Sequence, residues 1–166
     1  LTKTPEGTRK KTSNVEAYTA YLEGRSCLNQ RTPVMLDRAL KRFEKAVALD
    51  PKFAAPYAGV AEVQIVLASG QYGGDSSLVI LDRARTAAEK ALQLDPSLAE
   101  AHVAMALVRH RADWAWDEAE KEFLRAIELN PNYATAHHQY AMFLALHLRL
   151  EEARKEIAVA HELDPL

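Results

Sequence analysis

The chain has 166 residues, 48% of them apolar and 27% charged, which suits one ordinary folded domain with a core and argues against disorder. Its 29 Ala and 21 Leu against 10 Val and 4 Ile favour helices over strands. A net charge of −2 is a poor footprint for a nucleic-acid binder, one cysteine (Cys27) excludes an internal disulfide or a thiolate metal cluster, and no apolar run approaches the roughly 20 residues of a membrane span.

Residues 1–13 are polar and carry Lys3, Arg9, Lys10 and Lys11, which reads as a linker or tail without a signal-peptide pattern. From there the sequence predicts eight helices in four antiparallel pairs, at 14–30 and 33–49, 53–69 and 76–94, 98–111 and 116–129, and 133–147 and 150–163. The punctuation is a repeat. Leu49-Asp50-Pro51, Leu94-Asp95-Pro96, Leu129-Asn130-Pro131 and Leu163-Asp164-Pro165 recur with proline intervals of 45, 35 and 34 residues. Proline lacks the N–H that would continue a helix, so each closes the second helix of a pair.

Upstream of each proline the same pattern returns. Ala46, Ala91, Ala126 and Ala160 stand five residues back; Phe43, Ala88, Phe123 and Ile157 eight; Ala39, Ala84, Ala119 and Ala153 twelve; Leu36, Leu81, Trp116 and Leu150 fifteen. Offsets of 3, 4 and 7 put these on one helix stripe, with small residues admitting a neighbour and the larger one filling the groove between. Trp116 is therefore expected on the buried stripe, with Trp114 at the edge of its hairpin. Ser97 with Glu100 reads as a capping box, with Asn132 a cap of the same kind. The longest interval is explained by a Gly-rich loop around Ser69–Ser76, capped at Asp75 or Ser76. Asp37, Asp82, Asp117 and Glu151 fall in the first turn of each second helix, where negative charge favours the helix dipole.

A 34-residue period with small residues at three fixed positions and a closing proline resembles the tetratricopeptide repeat (TPR) family. The match is best at Tyr140, Ala141, Ala153, Ala160 and Pro165, and at Met105, Ala106, Ala119, Phe123, Ala126 and Pro131. The resemblance covers about 15–165, with repeats at about 14–51, 52–96, 97–131 and 132–165 inside a domain spanning 14–166. It implies an all-α, right-handed superhelix of about four helix pairs, in which the first helix of each pair lines a concave groove. The first repeat can be registered on Tyr18, Tyr21 and Leu22 or on Gly24 and Cys27, and both registers need extra residues near Arg31–Pro33.

The resemblance further implies a non-catalytic protein-interaction scaffold that binds a protein or peptide segment without a cofactor. Its groove residues would be Tyr18, Tyr21 and Arg25; Glu62 and Ile65; Glu100, Leu107, His110 and Arg111; and His138 and Met142. That set lacks the Lys/Asn pattern of a carboxylate clamp, so apolar anchors are expected. Tyr21–Arg25, Asn29–Pro33, Ala55–Ala61, Trp114–Trp116 and Asn130–His138 also resemble the C-terminal TPR region of bacterial multidomain signalling proteins, of adenylate cyclase, winged-helix regulator or Ser/Thr kinase type. On that likeness the chain is a regulatory or oligomerisation segment of a larger protein, cytoplasmic or, behind a membrane-spanning parent, periplasmic.

The remaining motifs point away from catalysis. No two of the six histidines have the i, i+3 or i, i+4 spacing of a helical metal site, and no nucleophile, zinc or dinucleotide fingerprint is present. His102 and His137 occupy an aromatic packing position and are expected to stack between repeats. No nucleic-acid contact and no membrane insertion are expected. Helix 150–163 is expected to leave an apolar stripe unprotected, including Ile157, through which the chain could self-associate.

Overall fold

The computed structural model describes residues 12–69 and 77–165. The basic tail up to Lys11 and the Gly-rich loop with its expected cap at Asp75 or Ser76 lie outside the described residues. The helices are α1 (Val15–Asn29), α2 (Pro33–Leu49), α3 (Ala54–Leu67), α4 (Ser77–Leu94), α5 (Ala99–Val108), α6 (Trp116–Leu129), α7 (Ala134–Leu146) and α8 (Leu150–Leu163), and among the described residues there is no strand. A short π-helical turn, Arg109–Asp113, follows α5.

Each odd helix packs on the even helix after it, and each even helix packs on the next odd one. The odd helices also touch one another, α1 on α3, α3 on α5 and α5 on α7, whereas no two even helices meet among the described residues. The odd helices therefore line the inside of the curve. Burial follows this arrangement. In α5, caught between neighbours, Ala99, Ala101 and all of 103–108 are buried, whereas α6 buries only Ala119, Phe123 and Ala126 of its stripe. A helix apolar almost all round belongs in the interior, and one with a single stripe belongs on the outside.

The Leu-Asp-Pro turns are built from their own backbone. The N–H groups of Asp50, Asp95, Asn130 and Asp164 donate to the carbonyls of Ala46, Ala91, Ala126 and Ala160 at 2.8–3.0 Å. The N–H groups of Phe53, Leu98 and Tyr133 then donate back to Asp50, Asp95 and Asn130 at 3.1–3.2 Å. The Asp50 and Asp95 carboxylates accept from the backbone N–H two residues on, Lys52 and Ser97, both at 3.0 Å. This corrects the expected capping box. Ser97 donates its hydroxyl to Asp95 at 2.6 Å, and the residue before α5 is Leu98, which makes no side-chain cap. Asn132 is not a cap either, since Tyr133 precedes α7 in that role. The one strong odd-helix cap is Asn14, which accepts from Ala17 N–H at 3.0 Å and donates to Leu49 O at 3.1 Å, tying the start of α1 to the end of α2.

Among the described residues, the turns inside the first, third and fourth pairs each use a left-handed residue: Arg31 (φ 49°), Trp114 (φ 56°) and Leu148 (φ 61°). After α7 the Arg149 N–H reaches Leu144 O at 2.9 Å and the Leu148 N–H reaches Ala145 O at 3.0 Å, a Schellman ending. The equivalent bond after α5 runs from Ala115 N–H to Arg109 O, 3.1 Å, and spans one residue more. Thus the 35-residue interval differs from 34 by one residue, and the π-helical turn at 109–113 takes it up, so α5 ends at Val108 and not at Arg111 as expected. The surplus of the first repeat goes elsewhere: α2 has 17 residues against 14 in α6 and α8, close to one extra turn at its start.

Phe43 shows how tightly the first two pairs engage. It is 0% exposed, and a Cβ placed on Gly24 of α1 or on Gly59 of α3 would come within 2.6–2.7 Å of its ring. The two glycines form a notch that no other residue leaves open. Gly59→Ala is expected to lower unfolding stability by about 1–3 kcal/mol through overpacking, measured by urea denaturation. Adding Phe43→Leu to it should recover part of the loss, and a purely additive double variant would contradict the notch.

Candidate partner-binding groove

On the inner face, Glu62, Ile65 and Val66 of α3 and Glu100, Val103, Ala104 and Leu107 of α5 lie at helical spacings of three and four, so each set forms one stripe. Together with Arg31, Ser69, Arg111, Tyr133, Thr135 and Gln139 they line a cavity of about 240 Å³. Its floor is aliphatic and its rim is charged. Arg25 reaches the rim by pairing with Glu62 at 2.5 Å. Burial opposes the Arg25 charge, but the adjacent Glu62 outweighs it and raises the guanidinium above its ordinary value. Burial, reinforced by Glu62 and Glu100, pushes the Tyr133 phenol well above the usual tyrosine range. Arg111 donates to Ile65 O at 3.4 Å, has no carboxylate partner among the described residues, and is lowered by desolvation.

Of the residues expected to face the groove, Glu62, Ile65, Glu100, Leu107 and Arg111 converge on this cavity. Arg25 joins them through its pair with Glu62, and the remaining ones do not line the cavity. Tyr18 and Tyr21 pack on Phe53 at ring distances of 6.4 and 5.3 Å, and Tyr21 also on Phe43 at 6.0 Å. His110, on the π-helical turn, meets Phe143 at 5.2 Å and His147 at 5.5 Å. His138 and Met142 are exposed. Sequence reasoning misses Tyr133, which stands two residues after Pro131 where Phe53 and Leu98 follow the earlier prolines. Those two are buried, so the position reads as packing.

His102 and His137 do not stack as expected. Each is bonded on both nitrogens in the same way. His102 Nε2 donates to Pro96 O at 2.9 Å and its Nδ1 meets Glu122 at 2.6 Å; His137 does the same with Pro131 O, 2.9 Å, and Glu156, 2.6 Å. A carbonyl and a carboxylate only accept, so the geometry at His102 fits an imidazolium, and each of the two residues ties the entering turn to the even helix of its own pair. Trp116 is corrected as well. It is 46% exposed, with its ring edge-on to His147 at 4.8 Å, because it opens α6 directly after the left-handed turn where no helix covers it. Among the described residues no group of three or more His, Cys, Asp or Glu side chains is placed to hold a metal ion, and no helix is long and apolar enough to cross a membrane.

Residues 122–155 match the sequence family described as tetratricopeptide repeat. In three dimensions the chain is similar to TTC0263, a thermophilic TPR protein of Thermus thermophilus, with a TM-score of 0.74 and 22% identity over 92% of this chain and 76% of that one. This is the TPR fold. The same superhelix relates the chain to MamA from Desulfovibrio magneticus RS-1 (TM-score 0.56, 16% identity, 90% of this chain and 76% of that one). It also relates it to the first TPR of Spaghetti (RPAP3), solved bound to the HSP90 peptide SRMEEVD (TM-score 0.58, 19% identity, 92% and 99%). No curated protein matches the chain in sequence.

The His102–Glu122 pair of this TPR fold should show in its pH dependence. Burial works to lower His102, and the Glu122 hydrogen bond overcomes it, so His102 is raised above 6.5 while its partner Glu122, held also by Arg109 at 3.3 Å, is lowered below 4.5. A raised histidine contributes fully below 6.5 and loses its contribution as pH climbs through the folded-state value. A lowered glutamate contributes fully above 4.5 and loses its contribution as pH falls through its own. Glu122→Gln should therefore cost most, about 1–3 kcal/mol, between those two values and progressively less toward alkaline pH. Chemical denaturation of both proteins across that range checks it, and a deficit independent of pH would rule out the charged pair.

Proposed function

We propose that the chain is a non-catalytic interaction scaffold that seats a segment of a partner protein along the inner face of its odd helices. The observation that carries this reading is the cavity between Ile65, Val103 and Leu107 with Arg111 beside it. At about 240 Å³ it is smaller than the roughly 300–1,000 Å³ of pockets that enclose a whole drug-sized ligand. It suits one or two anchoring side chains of a longer segment. The aliphatic floor selects an apolar anchor. The Arg111 guanidinium, with no carboxylate partner among the described residues, is available to a carbonyl or carboxylate of the bound chain. Glu62 is already engaged by Arg25, so that side of the rim adds little net charge. The peptide complex of the structurally similar Spaghetti TPR supports the same class of activity.

Peptides selected on the intact chain from a displayed random library test the reading. They are expected to share an apolar anchor and to lose about tenfold or more in affinity, roughly 1.4 kcal/mol, on the Arg111→Glu and Thr135→Arg variants, with helical circular dichroism unchanged. Selected peptides that bind both variants as well as the parent would sink it.

A further inference from the structure

Repeats three and four meet along the edge where each odd helix turns into its even partner. In both, the left-handed turn residue and the first residue of the even helix are large and apolar: Trp114 and Trp116, then Leu148 and Leu150. They are 73%, 46%, 83% and 61% exposed. Trp114 stands 6.4 Å from Trp116, and the contact of Trp116 with His147, the residue before Leu148, joins the two turns into one strip. Fold stability does not explain Trp114 and Leu148. Both are exposed, and both occupy the left-handed position at which glycine relieves a steric cost. Four exposed large side chains on one edge are more than the scattered apolar residues an ordinary surface carries.

The charges around the strip have a sign. Asp117, Glu118 and Glu151 in the first turns of α6 and α8 are exposed beside it. In the earlier repeats the equivalent Asp37 pairs with Lys41 at 2.7 Å, and Asp82 sits 3.7 Å from Arg85. Asp117 and Glu118 have no ion-pair partner among the described residues, and Glu151 reaches only Arg154, at 3.4 Å. Two arginines of this edge are already engaged, Arg85 by Asp113 at 2.6 Å and Arg149 by Glu120 at 2.6 Å and by Glu152 at 2.7 Å, while Lys121 and Lys155, one turn further along α6 and α8, are exposed. Burial, with His147 and Arg111 nearby, lowers His110, so the imidazole beneath the strip adds little positive charge at neutral pH.

We infer that this turn edge is a second docking surface, taking an amphipathic segment whose apolar side chains cover Trp114, Trp116, Leu148 and Leu150 and whose flanking Lys or Arg residues meet Asp117, Glu118 and Glu151. Charge complementarity selects this occupant. The acidic rim disfavours an anionic lipid surface or a phosphate backbone, and it would face its own sign in a second copy. Tryptophan in a partly exposed, aromatic setting is the residue type that anchors such contacts. The strip shares no residue with the lining of the groove cavity, so the inference does not rest on the proposed function of the groove.

The chain has two tryptophans and both lie in the strip, so intrinsic fluorescence reads this edge alone. A synthetic amphipathic Leu/Lys peptide is titrated into the full chain, beside a Leu/Glu peptide of the same pattern and a Ser/Lys peptide of the same charge. The Leu/Lys peptide is expected to shift tryptophan emission to the blue and to bind about tenfold or more tighter than either control. Trp114→Gly with Leu148→Gly, which relaxes both left-handed residues and so retains the fold, should weaken binding about tenfold, with Trp116 still reporting. Asp117→Asn with Glu118→Gln should erase the preference for Lys over Glu, and Arg111→Glu in the groove should leave binding intact. The inference is overturned by an unchanged spectrum, by equal affinity for the Leu/Glu peptide, or by loss of binding in Arg111→Glu, which would place the peptide in the groove. A blue shift that follows protein concentration alone, with a dimer in sedimentation, would also overturn it and make a second copy the occupant.

Discussion

The arrangement on which everything else rests is one side chain of an even helix lodged between two odd helices. Phe43 of α2 lies against Gly24 of its own pair and Gly59 of the next. Phe123 of α6 meets Tyr140 and Phe143 of α7 at 5.7 and 5.5 Å. The alanines either side of these residues are 0% exposed, which is what lets the helices close on the wedge. A pair of helices cannot bury such a residue alone, so the next odd helix is part of every pair's core. Ile157 holds the wedge position in α8, which among the described helices packs on α7 alone, and it is 40% exposed. The described core accordingly forms three clusters strung along the chain with no single centre.

This constraint divides the turns into two kinds. Those between pairs set the distance from one wedge to the next notch, and they are uniform: the same Asp or Asn N–H, the same alanine carbonyl, the same bond back from the residue two after proline. Those within pairs sit at the free end of the hairpin, where length is not dictated by the stack. Departures from the 34-residue period collect there, as the extra turn of α2 and the π-helical turn after α5. The exposed aromatic strip lies on the same edge. Side chains at that edge can change without disturbing the wedges, so it is where a TPR stack has room to acquire a surface of its own.

Sequence periodicity discloses what the wedge dictates. The limits of α2, α6 and α8 agree with expectation to the residue, because a proline and a fixed alanine stripe mark them. The odd helices depart from expectation at their ends, and α3, α5 and α7 lack a side-chain cap to announce them. What periodicity cannot disclose is which of two equivalent positions has a neighbour. Trp116 shares its repeat position with Leu36 and Leu81, both buried, yet it and Leu150 are exposed. Tyr133 shares its position with Phe53 and Leu98, yet it borders the cavity because the curve of the superhelix carries it toward Arg25 and Glu62. His102 and His137 sit at an aromatic position but answer to polar geometry, a carbonyl six residues behind and a carboxylate 20 or 19 residues ahead on the even helix. Groove residues were legible where they continue a stripe, as in α3 and α5. Arg111 was legible too, whereas His110 was not, because the π-helical turn brings its ring to Phe143.

The two surfaces stand on parts of the molecule with different stability. The groove's floor belongs to α3 and α5, each packed by neighbours on both sides, so its geometry is held by the most buried helices of the chain. The strip's second half, Leu148 and Leu150, belongs to the α7–α8 pair. There α8 buries only Ala153 and Ala160 and leaves Ile157, Val159 and Leu163 more than a third exposed. In a nearest-neighbour stack the pair with fewest interfaces opens at the lowest free energy. A ligand that bridges Trp114 and Trp116 to Leu148 and Leu150 binds only while that pair is docked, and mass action then favours the docked state. Occupation of the edge therefore stiffens α7, whose Thr135 and Gln139 form one wall of the groove. By reciprocity a segment held in the proposed groove against that wall would strengthen binding at the proposed edge, which would couple the two surfaces through the stability of one helix pair without any change of shape.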